Sequence, residues 1–206
     1  MKKSILLALI SAFVITLSVN AQVSEKQIQK DAKKEAKNLK KQGWQVPPGA
    51  LPLQRQLEDV YRKQYDRDEL GQTKFFIGAA QPIGEVYDAA RLQAQSLANM
   101  SIVQQTSTQL TALVEQSVGN QQLSQDEAAS VVQIIAKSKE LISGKLSRTI
   151  PLLECYRKLP NGNIQVMVRL GYPTVRALEE AKDVVRGQLE AELQELGERL
   201  QQISVK

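Results

Sequence analysis

The side chains able to do chemistry in this chain are few, and their absences decide more than their presence. The sequence contains no histidine and a single cysteine, Cys155. Without histidine, the usual serine and cysteine hydrolase triads are missing, as are histidine-bearing zinc sites and the commonest general base. One cysteine excludes cysteine-only zinc sites, a redox pair and an internal disulfide. There is no glycine-rich phosphate loop followed by lysine and no dinucleotide fingerprint. Carboxylate pairs and serine–lysine dyads remain. Glu85 lies near Asp88, and Asp126 beside Glu127. Each pair falls in the first turn of a predicted helix, where acids favour the helix dipole by themselves. Ser143 and Lys145 flank a helix-ending glycine without a spacing that defines a dyad. A carboxylate-based hydrolase is therefore the least favoured class. No catalytic, cofactor-binding or metal-ligating residue is assigned, and no cofactor is expected.

Composition and the amino terminus bear on the compartment. Lys2 and Lys3 precede an apolar run from Ile5 to Leu17, and Val19 and Ala21 fit the positions before a cleavage site. Residues 1–21 read as a signal peptide, with Gln22 as the mature start. The run is short for a membrane span, which needs about 20 apolar residues. No cysteine stands at the cleavage point to carry a lipid. Residues 22–206 hold 25 basic and 22 acidic side chains. That balance is too mild to argue for nucleic acid. A lone thiol in an exported chain is expected to be buried, with an intermolecular bridge as the alternative. Apolar residues make up 42% of the chain, enough for a core.

Four segments follow from patterning: the signal peptide at 1–21, two helices and a loop at 22–71, an α/β domain at 72–172, and a helix at 173–206. Residues 22–42 form a basic helix candidate with a narrow apolar stripe of Ile28, Ala32, Ala36 and Leu39. Its lysines, Lys30, Lys33, Lys34 and Lys37 among them, are either a patch for anionic lipid, lipopolysaccharide or glycan, or a solvated face. The scarcity of bulky residues and the lack of an aromatic favour the solvated face. Gly43 suits the helix end, and Pro47 and Pro48 prevent continuation. Trp44, the only tryptophan, either anchors this loop by burying its ring or offers a peptide- or sugar-binding platform; the anchor is the commoner outcome. A second helix carries Leu53, Leu57, Val60 and Tyr61 on one side.

Thr73 to Ala79 reads as a strand, followed by a helix with the small residues Ala90, Ala94 and Ala98 on one face. Ser101 to Val118 is expected to be mainly strand, because Thr106, Thr108, Leu110, Ala112 and Val114 alternate and hydroxyl residues are weak helix formers. Ser124 and Glu127 have capping-box spacing, opening a helix from Ala128 to Ile142 closed by Gly144. Residues 146–159 and 164–170 read as a hairpin turning at Pro160–Asn163. A two-residue turn would pair Leu159 with Ile164 and Cys155 with Val168. Pro173 is expected to start a long terminal helix. In it Leu189, Leu193, Leu196, Leu200 and Ile203 show the 4-3-4-3 spacing of a coiled-coil seam about two heptads long. The basic first helix and the acidic last one, with Glu190, Glu192, Glu195 and Glu198, are expected to pack together or against a second copy.

The sum is an α/β (α+β) fold: about four antiparallel or mixed strands packed by two helices in the order β-α-β-α-β-β, flanked by helical arms. The run Ala89-Ala90-Arg91 through Ala94, Leu97 and Ala98, the Ser/Thr-rich stretch, the apolar helix and the closing Gly162-Asn163-Ile164-Gln165-Val166-Met167-Val168-Arg169 together resemble the LPP-twenty family of bacterial envelope lipoproteins, in particular its exported relatives. The resemblance covers about residues 74 to 172. It implies an outer-membrane-associated or surface protein, in a family some of whose relatives are structural parts of the flagellar apparatus, and it brings no catalytic residues. The missing lipidated cysteine departs from that family and points to the periplasm or the outer-membrane periphery. The leading expectation is a non-enzymatic envelope protein acting through protein contacts or self-association. The alternative is a periplasmic binding module for a small ligand, glycan or lipid.

Overall fold

The computed structural model describes residues 23–146 and 148–202, with side chains through Gln194 in the last helix. The elements are α1 (Glu25–Lys41), α2 (Leu53–Tyr65), β1 (Phe75–Ala80), β2 (Ile83–Gly84), α3 (Tyr87–Gly119), α4 (Gln125–Lys137), α5 (Lys139–Lys145), β3 (Ile150–Lys158), β4 (Ile164–Pro173) and α6 (Thr174–Gln202). They build an α+β fold around a four-stranded antiparallel sheet. β4 is central, with β3 along one side and β1 and the short β2 along the other. Helices cover both sheet faces. α1 and α2 lie on one, and α3, supported by α4, α5 and α6, lies on the other.

β4 shows why two layers of helix are needed. Val166, Val168, Leu170 and Tyr172 are buried on the α3 side. Met167 is buried on the opposite side, beside Leu153 and Cys155 from β3 and Ala36, Leu39, Trp44 and Leu57 from the amino-terminal segment. The polar Gln165 and Arg169 on this second face suggest a solvated side, but Met167 between them is buried and Arg169 is met by Glu35 of α1, so both faces are covered. The segment expected as an amino-terminal arm is docked on this second face, and its apolar stripe of Ile28, Ala32, Ala36 and Leu39 is buried.

Local chemistry closes the ends of these helices. Ser24 caps α1. At its far end the Gly43 amide donates to Lys40 (3.1 Å) and the Trp44 amide to Leu39 (3.0 Å), the paired bonds of a Schellman motif. Ser124 and Glu127 form the expected capping box. Its helix stops at Ser138 instead of running to Ile142, and the short α5 follows.

The close approach of α3 to the sheet rests on small residues. Ala90, Ala94 and Ala98 are buried at one-turn intervals. Gly78 of β1 lies so near that a Cβ there would sit 2.0 Å from the Ala98 carbonyl oxygen. Only a residue without a side chain fits between these two backbones.

Several expectations are corrected. Ser101–Val118 is not a strand; it continues α3, which runs 33 residues. Ile102, Thr106 and Leu110 carry the buried stripe on by one turn each. The Thr106 hydroxyl donates to the Ile102 carbonyl (2.9 Å) and the Ser117 hydroxyl to Leu113 (2.9 Å). These two hydroxyls, which would otherwise compete with the helix, are thus satisfied within it. The fourth strand is instead β2, so the order from β1 to β4 is β-β-α-α-α-β-β, with three helices in succession between β2 and β3. Pro173 ends β4 rather than opening α6.

The β3–β4 register also differs by one residue. The Leu159 amide donates to Asn163 and the Gly162 amide to Leu159, with Gly162 at φ 86°. That is a three-residue loop with a left-handed glycine, not a two-residue turn. Cys155 therefore pairs with Met167 rather than Val168. A one-residue shift carries the thiol to the opposite face. It is buried there, beneath α1 and α2. Of the two arrangements expected for the terminal helices, packing on each other is not what the described residues show: α1 packs on α2, while α6 packs on α3, α4 and α5 across the sheet.

Gly78→Ala is expected to lower stability by about 3 kcal/mol or more, because the obstacle is backbone and not a movable side chain. Denaturant unfolding of the variant checks this, and an unchanged midpoint would contradict the packing described.

Candidate interaction surfaces

The acidic pairs do not converge on a common point. Asp88 is 81% exposed and lies 3.8 Å from Arg91. Glu127 accepts hydrogen bonds from the Ser124 backbone and side chain, which hold its carboxyl below the usual range. Among the described residues there is no group of three acidic or cysteine side chains placed to hold a metal ion. Burial pushes the Cys155 thiol up to about 12, so it stays protonated.

Trp44 takes the anchor role. It is buried, and the Arg157 guanidinium stands over its ring at 4.9 Å. The next residue, Gln45, exchanges two 2.9 Å backbone bonds with Tyr156. The Gln56 side chain of α2 accepts from the Glu154 amide at 2.8 Å. The loop and α2 thereby cover the outer edge of β3, which would otherwise offer unpaired backbone groups. No ring is left exposed there as a platform for a glycan or peptide.

Several polar groups brought into the layers are paired between elements. Glu35 of α1 accepts from the Tyr61 hydroxyl at 2.6 Å with one oxygen and from Arg169 of β4 at 2.6 Å with the other. This set lines an open cleft of about 580 Å³ together with Phe75, Ile77 and Gln105. Both Glu35 oxygens are engaged, so the carboxylate holds α1 to α2 and to the sheet. Tyr87 donates to Glu154, and Tyr172 to Glu180 at 2.6 Å. Burial first, then the carboxylate partner, raises the phenol pKa in all three tyrosines. These pairs span 26, 67 and 8 residues of sequence, and nothing in local spacing signals them.

Two surfaces among the described residues bear on the expected contacts. The first begins as an apolar groove of about 450 Å³ between the end of α3, α4 and α6, lined by Leu110, Leu113, Val114, Val131, Val185 and Leu189. Beyond it α6 leaves the body. Val185 is buried and Leu189 half-buried, but Leu193 is 67% exposed and helix continues to Gln202. Of the residues expected to form the seam, Leu189 and Leu193 lie on this projecting segment. The side chains of Leu196 and Leu200, and all of Ile203, fall outside the described residues. The second surface is the outer side of α1. Lys30, Lys33, Lys34 and Lys37 are all exposed, opposite the buried stripe.

Comparison with family models, with curated proteins and with solved structures gives no match. Among the described residues no helix is long and apolar enough to cross a membrane.

Two predictions test the paired polar groups. Glu35→Ala leaves Arg169 half-buried without its carboxylate and is expected to cost about 1–3 kcal/mol in a denaturant titration. The tyrosines give a pH dependence. Tyr172 is raised from its ordinary 10 to about 12, so the folded chain keeps a proton that the unfolded chain releases. The stability from that proton is complete below about pH 10 and is lost as pH rises through about 12. Phenolate absorbance of the folded chain should lag that of the chain unfolded in denaturant over this window; superimposable curves would refute it.

Proposed function

We propose that this chain is a non-enzymatic exported envelope protein that assembles with further copies of itself through its C-terminal helix. The observation that carries this reading is the exit of α6 from the body. About 20 Å of helix follows Leu189 at 1.5 Å per residue, and it begins with an exposed leucine. A helical extension this short is marginal in water without a partner.

A second copy suits it better than an unrelated ligand. The apolar groove of the body runs into the exposed side of the tail through Val185 and Leu189. The sequence then continues the same 4-3-4 leucine spacing. A stripe with that period is self-complementary, because each leucine finds a hole among leucines of an identical partner. Export is supported by the leader pattern of residues 1–21, and an envelope role by the LPP-twenty resemblance between residues 74 and 172. The paired state of Glu35 and the scatter of the acidic pairs offer no support to a hydrolase.

Light scattering across a concentration series tests the assembly. The chain from Gln22 onward is expected to pass from monomer to oligomer as concentration rises. Leu193→Asp should shift that transition by about tenfold or more, equivalent to at least about 1.4 kcal/mol, while leaving the thermal midpoint of the body unchanged. A wild-type chain that stays monomeric throughout the series would sink the reading.

A further inference from the structure

We propose that the lysine face of α1 is a docking surface for an anionic lipid membrane, held at headgroup level by charge alone. This does not depend on self-assembly through α6.

α1 carries seven lysines, Lys26, Lys30, Lys33, Lys34, Lys37, Lys40 and Lys41. At about 100° per residue they fall within an arc of roughly 120° on a straight helix about 25 Å long. All seven are exposed. The α1 acids, Glu25, Asp31 and Glu35, lie outside that arc by the same spacing. Glu25 is turned to Arg62 of α2, and Glu35 to Tyr61 and Arg169. No lysine of the face makes an ion pair with a described residue. The fold thus draws carboxylates away from the face and leaves its cations to solvent.

Charge elsewhere runs the other way. Outside these seven lysines, residues 22–206 hold 18 basic and 22 acidic side chains. An anionic plane would attract this face and repel the remainder, which fixes one orientation. The face has no apolar or aromatic anchor, because Ile28, Ala32, Ala36 and Leu39 are already buried beneath the helix. Protein interfaces draw most of their affinity from such anchors. A surface made only of lysines instead suits a partner with dense, laterally mobile anions, where each cation contributes about 1 kcal/mol. The buried stripe also excludes the other membrane mode, in which an amphipathic helix inserts its apolar side.

Co-sedimentation with vesicles tests this. The chain from Gln22 onward should bind phosphatidylcholine vesicles containing phosphatidylglycerol and not pure phosphatidylcholine. Binding should vanish at about 0.5 M salt, where screening acts within a few ångströms. A variant carrying Lys30→Gln, Lys33→Gln, Lys34→Gln and Lys37→Gln should lose about a hundredfold or more in partitioning. Arginine at the same four positions should restore it. Lys137→Gln, Lys145→Gln and Lys158→Gln together should leave it unchanged. These side chains are exposed, and circular dichroism confirms that each variant is folded. The proposal is overturned by failure to bind the anionic vesicles, by binding that survives high salt, or by equal loss from the distant lysines. Binding confined to a soluble polyanion such as double-stranded DNA would also overturn it.

Discussion

The contact between Gly78 and Ala98 is the constraint on which the rest of the structure depends. Two backbones meet where a single Cβ has no room. This sets how close α3 lies to the sheet, and therefore how Ala90, Ala94, Ile102 and the β4 valines fill the space between them. Dispersion between well-fitted surfaces falls off over fractions of an ångström, so a helix held this near makes many weak contacts that a more distant one would lose. Because α3 is a single rigid element of 33 residues, its seat on the sheet also fixes its far end. There it forms the groove with α4 and α6.

The same sheet must be covered on its other face, and this makes the amino-terminal segment part of the body. Met167, Cys155 and Leu153 would be solvated without α1 and α2. Polar groups that enter this layer arrive with partners. Arg169 is met by Glu35, and the Glu154 amide is met by Gln56. An unpaired charge or amide in such a position would cost more than its pairing gains. The recurring tyrosine–glutamate bonds follow the same rule. In each, a phenol supplies the donor that lets a carboxylate stand beside apolar packing.

Once both faces are covered, two features stand on opposite sides of the sheet. Lysines occupy the outer side of α1 on one face of the sheet. An apolar groove and a projecting helix occupy the other. Among the buried and half-buried polar groups, Glu35, Tyr61, Arg169, Glu154 and Gln56 are engaged with one another or with backbone.

Much of this was legible in the linear chain, because it depends on neighbours within a turn or two. The Ser124–Glu127 cap, the Gly43 stop, the Ala90–Ala94–Ala98 face and the alternation from Ile164 to Leu170 are local patterns that the fold retains. The lysines of α1 were likewise visible in the linear chain. The Ser101–Val118 segment was not decided locally, since its apolar residues satisfy both a period of two and one of 3.6. Burial of Ile102, Thr106 and Leu110 against the rest of the body selects helix. The side of the sheet to which Cys155 points turned on one extra residue in the loop at Gly162. The Glu35–Tyr61–Arg169 set joins three distant elements that only packing brings within hydrogen-bonding reach. The sequence by itself determined the capped helix ends at Gly43 and Ser124 and which helix faces are apolar or charged, because those follow from short-range sterics and hydrogen bonds. Only the tertiary structure decided which apolar faces are consumed and which stay open, because burial is a property of what else arrives at the same place.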